Sequence, residues 1–261
     1  MRFKLTIEYA GTRYSGWQIQ KNARTIQGEI ERAVQQAVGA RPIELYGSGR
    51  TDAGVHALAQ VAHLDLDVAM EPDQLRRRVN DALPSDIAIL RVEKVRSRFH
   101  ARHDAVARSY LYQIARRKTA FAKSFVWWVK EPLSVDVMRQ AAGACVGFHD
   151  FRAFSDDDPA DKSTEVAVDV LDIHEDEDLV LIHIEGSHFI WKMVRRIAGV
   201  LVAVGRGDLK PEEMAALLSS SSDLPARLTA PASGLFLERV YYADDRRDES
   251  VRAVSTLRRV G

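Results

Sequence analysis

The chain has 261 residues, 46% hydrophobic and 28% charged, which is enough for one large or two modest domains with real cores. A single cysteine, Cys145, excludes an internal disulfide and fits a reducing compartment, and no run approaches the roughly 20 apolar residues of a membrane span. The 37 Lys and Arg balance 37 Asp and Glu, so net charge excludes no partner, and the information lies in where the charges fall.

The first residues enter a strand pattern at once, with Phe3, Leu5, Ile7 and Tyr9 alternating with Lys4, Thr6 and Glu8. No signal peptide is visible, so a cytoplasmic location is expected. Thr25 can cap a helix whose apolar side is Ile26, Ile30, Ala33, Val34, Ala37 and Val38, stopped at Gly39. A strand over 43–46, a glycine turn and a strand over 60–66 follow. Pro72 sits where a first helical turn tolerates it, Leu75, Val79 and Leu83 mark the apolar side, and Pro84 ends the helix before a strand over 87–95.

The second half repeats this order. A strand over 106–114 precedes a helix opening at Ser134 with Val137, Met138, Ala141, Ala142 and Cys145 inward. Strands near 166–173 and 179–184, a helix over 189–204, a short helix near Pro211, a serine-rich loop over 219–222 and a strand over 234–242 complete it. The expected class is α+β, with two ferredoxin-like β-α-β-β-α-β subdomains over 1–105 and 106–261. Helices on one side of each antiparallel sheet would leave the other faces to meet at a central basic cleft.

Residues 47–57, Gly-Ser-Gly-Arg-Thr-Asp-Ala-Gly-Val-His-Ala, carry most of the chemistry. Gly47, Gly49 and Gly54 permit positive φ and close approach of a ligand. Asp52 stands beside Arg50, whose guanidinium does not titrate and favours the carboxylate. An ionised, positioned aspartate is a nucleophile or a base, while the same residues also suit a tight turn whose Asp caps a helix or pairs with Arg50. Alternation places Arg108, Tyr110 and Tyr112 on one face of their strand. Lys192, Arg195 and Arg196 form a basic stripe on their helix, opposite Ile190, Val194, Ile197 and Leu201. Basic residues from Arg91 to Lys123, interleaved with Phe99, Tyr110 and Tyr112, suit phosphate and base contacts. The acidic run from Asp156 to Asp178 reads as a solvated face.

With these motifs in place, the chain resembles the tRNA pseudouridine synthase A (TruA) family nearly end to end. The resemblance rests on Tyr-Ala-Gly-Thr-Arg-Tyr-Ser-Gly-Trp-Gln-Ile-Gln at 9–20, Gly-Arg-Thr-Asp-Ala-Gly-Val-His-Ala at 49–57 and Phe-His-Ala-Arg at 99–102. It continues through Arg-Ser-Tyr-Leu-Tyr at 108–112, His-Asp-Phe at 149–151, Phe-Ile-Trp-Lys-Met-Val-Arg at 189–195 and Ala-Ser-Gly-Leu-Phe-Leu at 232–237. It implies that Asp52 is the catalytic aspartate, that Tyr110 packs on the target uracil and that Arg195 pairs with the aspartate. It also implies a homodimer holding tRNA, acting at positions 38, 39 and 40 of the anticodon stem-loop without cofactor or metal. The chain departs from the family in Ala10, where Asp is usual, in Arg196, where Asn is usual, and in lacking an arginine over 163–166. The first departure is expected to loosen its loop, the second to add positive charge near the site, and the third to remove an RNA contact.

Making pseudouridine breaks the N1–C1′ bond, turns the captive uracil and joins C5 to C1′. Asp52 suits attack at C1′, addition to the base or loss of the C2′ proton, and a base must remove the C5 proton. The target must leave its stack, with Arg50 or His56 filling the vacated space. Two other classes fit parts of the pattern. A non-catalytic RNA-binding module needs no placed carboxylate, and a glycosidic hydrolase normally pairs two. His56 and His63 fall in different environments and no cysteine pair exists, so a metal site is not expected.

Overall fold

The computed structural model describes residues 1–39, 43–67, 69–247, 250–255 and 257. In chain order its elements are β1 (Arg2–Tyr9), α1 (Ile26–Val38), β2 (Glu44–Gly47), β3 (His56–Asp65), α2 (Pro72–Ala82), β4 (Ile87–Val95), β5 (Ala105–Ala115) and β6 (Trp127–Trp128). Then come α3 (Val135–Ala142), β7 (Gly147–Asp150), β8 (Glu165–Asp176), β9 (Leu179–Gly186), α4 (Met193–Arg206), α5 (Glu212–Leu218), α6 (Leu224–Arg227) and β10 (Leu235–Tyr242). Contacts group them into two α+β units: Met1–Val106 with Phe236–Arg246, and Ala107–Leu235 with Arg247–Gly261.

In unit 1, Phe3, Leu5, Ile7 and Tyr9 are buried while Lys4 and Thr6 are half-exposed and Glu8 exposed, so β1 presents one apolar face to a core. β1 pairs antiparallel with β3 on one edge and β4 on the other, and β2 pairs antiparallel with β3. The strand that the sequence pattern assigns to the end of the second half returns here, with Phe236 and Leu237 of β10 running parallel to His56 and Ala57. Thr25 accepts the Gly28 N–H at 3.3 Å, capping α1, whose Ile26, Ile30, Ala33 and Val34 are buried. α2 opens on Pro72, buries Leu75 and Val79, and lies against α1 and β4.

β3 starts four residues earlier than the expected strand over 60–66. Gly54 takes φ +80 and Val55 N–H donates to the Asp52 carbonyl at 3.1 Å, completing the reversal by residue 55 and freeing His56 to enter the sheet.

On β3, His63 is 1% exposed, and its Nδ1 accepts the Ala101 N–H at 3.2 Å. Its ring stacks on Tyr46 with centroids 5.2 Å apart and meets His100 at 4.7 Å. Burial, then the Arg2 and His100 charges, push His63 down to about 4, against weaker opposing effects of Asp65 and Asp104. His100 is also lowered, by burial and by His103. A lowered histidine pKa means the unfolded chain takes up the proton first. The stability contributed by His63 should therefore be present above about pH 6.5 and fall by up to about 1.4 kcal/mol per pH unit on the way down toward pH 4, with His100 acting in the same direction. Urea titrations at pH 7.5, 6 and 5 check this, and His63→Gln should flatten the slope.

In unit 2, β5 pairs antiparallel with β9, β9 with β8 and β8 with β7, while β6 runs parallel to Ile114 and Ala115 of β5. Ala107, Leu111, Tyr112, Ile114 and Ala115 of β5, the apolar residues of β9 and nearly all of α4 are buried. α3 packs on α4, α5 and β8. β6 and β7, of 2 and 4 residues, are too short for alternation to reveal.

Candidate active site

Asp52 is half-exposed at the tip of a loop supported from behind. Trp17 N–H donates to the Thr51 carbonyl at 3.0 Å and Gly54 N–H to the Tyr14 carbonyl at 3.3 Å, so residues 14–17 brace the backbone of the Asp52 loop. The buried Thr51 hydroxyl lies 2.8 Å from that of Tyr9. The supporting segment is itself fixed to Asp86, which accepts from Arg13 Nη2 at 2.6 Å and from the Tyr14 hydroxyl at 2.5 Å. Ala10 N–H adds a bond to the Asp86 carbonyl at 2.9 Å, so the loop is tied down despite Ala standing at position 10. Burial raises the Asp86 carboxyl, but its bonds from Tyr14 and Arg13 outweigh that and hold it below the usual carboxylate range. None of Tyr9, Thr51 or Asp86 stands out in sequence, because their partners are 42 and 72 residues away.

His56 does not stand ready to fill a vacated base position. It is 1% exposed, its ring stacks on Phe236 with centroids 4.8 Å apart, and its Nδ1 accepts the Gly11 N–H at 3.0 Å. It fastens the supporting segment to β3. Arg50, by contrast, is exposed. The fastening demands glycine at position 11, since a Cβ there would lie 1.9 Å from the Val55 carbonyl oxygen. Gly11→Ala should displace the Asp52 loop and cost about 1–3 kcal/mol, as overpacking does. Thermal unfolding would reveal the loss.

Unit 2 carries the other residues singled out from sequence. On β5, Tyr110 is half-exposed between buried Ser109 and Leu111, and meets Phe189 edge-on at 5.0 Å. Tyr112 is not its companion on an open face. It is fully buried, and its hydroxyl donates to the Pro231 carbonyl at 2.8 Å. Arg195 is half-exposed in the first turn of α4, where Nε donates to the Ala230 carbonyl at 2.8 Å and the Ala230 N–H returns a bond to the Arg195 carbonyl at 3.0 Å. The guanidinium is thereby aimed by buried backbone.

The expected basic stripe is not present. α4 begins at Met193 because Lys192 adopts left-handed φ +63, so Lys192 is off the helix. Arg196 is only 4% exposed: Nη1 donates to the Ser155 carbonyl at 2.6 Å and Nη2 binds Asp156. Lys192 Nζ reaches the other Asp156 oxygen at 2.5 Å, and Asp157 accepts the Trp191 N–H at 2.9 Å. The start of the acidic run is thus a clamp on α4, not a solvated face. Burial raises the Asp156 carboxyl, yet the Lys192 bond and the Arg196 and Lys192 charges prevail and hold it below its ordinary value. Arg196 therefore adds no exposed charge. Within 163–166, the stretch that lacks an arginine, the Thr164 hydroxyl donates to Asp150 at 2.6 Å.

A family model described as tRNA pseudouridine synthase matches residues 5–104 and 141–243. The chain belongs to this family. It is 38% identical over 243 residues to the tRNA pseudouridine synthase A 2 of Clostridium tetani, covering 92% of this chain and 98% of that one. It is 41% identical to the tRNA pseudouridine synthase A 2 of Bacillus cereus (92% and 99% covered) and to the tRNA pseudouridine synthase A of Bradyrhizobium sp. (92% and 99%). Asp52 and Arg195 fall inside the segments that match the synthase model, and Tyr110 falls between them. Among the described residues no cluster of three or more His, Cys, Asp or Glu could hold a metal ion, and no helix is long and apolar enough to cross a membrane.

Proposed function

We propose that this synthase isomerises uridine at positions 38, 39 and 40 of the tRNA anticodon stem-loop, with Asp52 as the group that attacks or deprotonates. The observation that carries the reading is a half-exposed aspartate on a doubly braced loop inside a segment that matches the synthase family. Bracing matters because a carboxylate that must meet one carbon of a flipped nucleoside gains from being held before the substrate arrives. Tyr110 packs on the detached uracil, Arg195 pairs with the aspartate, and exposed Arg50, rather than buried His56, fills the vacated stack. Substrate and product are isomers: N1–C1′ is broken, C5–C1′ is made, the C5 proton leaves and N1 gains one, so atoms balance without a redox carrier.

The fuller reading takes each unit as a ferredoxin-like subdomain beside a basic cleft, in a cytoplasmic homodimer. Support for the first unit comes from its strand order β4–β1–β3–β2 with antiparallel neighbours. Pseudouridine mapping of unmodified tRNA transcripts treated with the protein tests the function. New pseudouridine at 38–40 is expected, and its absence there, or release of free uracil, would overturn the reading.

A further inference from the structure

The segment between β5 and α3 contains no Asp or Glu from residue 116 to residue 130, but five Lys and Arg. Two of the cations are committed within the unit: Arg116 binds Glu175 at 2.5 Å and Arg117 binds Asp178 at 2.8 Å. Lys118, Lys123 and Lys130 are exposed and have no carboxylate partner among the described residues. Between them Phe121 is 99% exposed and Trp128 42% exposed, with the Lys118 ammonium 5.8 Å from the Trp128 ring centre.

This loop is a built feature. Gln113 Nε2 donates to the Phe125 carbonyl at 2.8 Å, and the Ser233 hydroxyl donates to the Val126 carbonyl at 3.3 Å. Phe125 N–H closes on Ala122 at 2.8 Å, and buried Ala122 and Val126 anchor either side. A loop with both ends fixed keeps a phenylalanine in water at a permanent hydrophobic cost, which a partner that stacks on the ring relieves.

We infer that this loop is a second RNA contact, at which Phe121 stacks on an unpaired base of the tRNA while Lys118, Lys123 and Lys130 attract its phosphates. The inference rests on the proposed tRNA substrate and adds a contact on the unit that does not carry the Asp52 loop. The charge pattern selects RNA over a second copy of the chain. A two-fold protein contact would set lysines against the same lysines, and protein interfaces are depleted in lysine at their centres. Aromatic faces interleaved with unneutralised cations are how single-stranded nucleic acid is held.

Filter binding of tRNA to the full-length protein tests this, together with tritium release from C5-labelled tRNA. Phe121→Ala should raise the Kd about 5- to 150-fold, equivalent to about 1–3 kcal/mol of stacking, and leave kcat at saturating tRNA unchanged. Phe121→Tyr should bind like the parent. Lys123→Ala should flatten the log Kd against log salt slope by roughly 0.7–0.9. An unchanged Kd and slope, or a Tyr variant as weak as Ala, would overturn the inference. So would a sedimentation shift in Phe121→Ala, which would mark a contact between protein copies. Wild-type protein that releases no tritium refutes the tRNA reading and this inference with it, whereas active wild type with indifferent Phe121 variants refutes the inference alone.

Discussion

Asp52→Ala is expected to reduce tritium release from C5-labelled tRNA by at least about 10²–10⁴-fold, the contribution of a positioned acid, base or nucleophile, while leaving tRNA affinity within a few-fold. Asp52 is half-exposed, and its loop is held by backbone bonds from Trp17 and Gly54 and by Thr51 against Tyr9. Removing the side chain should therefore leave both the fold and the RNA contacts of other elements in place. Asp52→Asn separates charge from shape and should be as inactive as Ala if the carboxylate acts chemically. Appreciable turnover by either variant at saturating tRNA would sink the assignment and favour a module that merely binds RNA. A parallel loss of affinity and melting temperature would point instead to a turn residue that shapes the loop.

What the sequence made legible was local and periodic. The β1 alternation, the Thr25 cap, Pro72 at the start of α2 and the β4 bounds each depend on neighbours a few residues away, and each stands where the pattern puts it. The glycine-spaced turn around Asp52 was legible for the same reason. What failed depended on contacts distant in sequence. The spacing of three and four that suggested a stripe over Lys192, Arg195 and Arg196 presupposed one uninterrupted helix, and Lys192 at φ +63 breaks that premise. Asp156 looked like one of many solvated acids because its partners lie 36 and 40 residues on. His56 reads as a residue able to fill the vacated stack because nothing nearby announces its bond to Gly11. Composition likewise grouped Arg116 and Arg117 with Lys118 and Lys123, although the first two are held by acids of the same unit and the others are not.

The clamp on α4 leads to the second large effect. Asp156→Ala removes the counter-charge of Arg196, whose side chain is 5% exposed, and should cost about 3 kcal/mol, the lower end of the range for breaking a buried pair because Asp156 itself is 31% exposed. Arg196→Met removes the buried charge but leaves the Ser155 carbonyl without its donor, at about 1–3 kcal/mol. Once either partner is gone the other has less to lose, so the double variant should be more stable than the sum of the singles predicts by about 1–3 kcal/mol. Urea unfolding followed by circular dichroism measures all three. Additivity within about 0.5 kcal/mol would show that the pair is not coupled. The same change should reach the chemistry, because Asp156 also binds Lys192, whose left-handed backbone directly precedes the turn that presents Arg195. At a temperature where Asp156→Ala remains folded, kcat is expected to fall on the order of 10- to 100-fold with KM for tRNA nearly constant, as misplacement of a positioned group does. Arg196→Lys, which keeps a cation for Asp156, should be more stable than Arg196→Met and keep most of the parent kcat. A clamp that matters only for stability would leave kcat of the folded fraction unchanged in every variant.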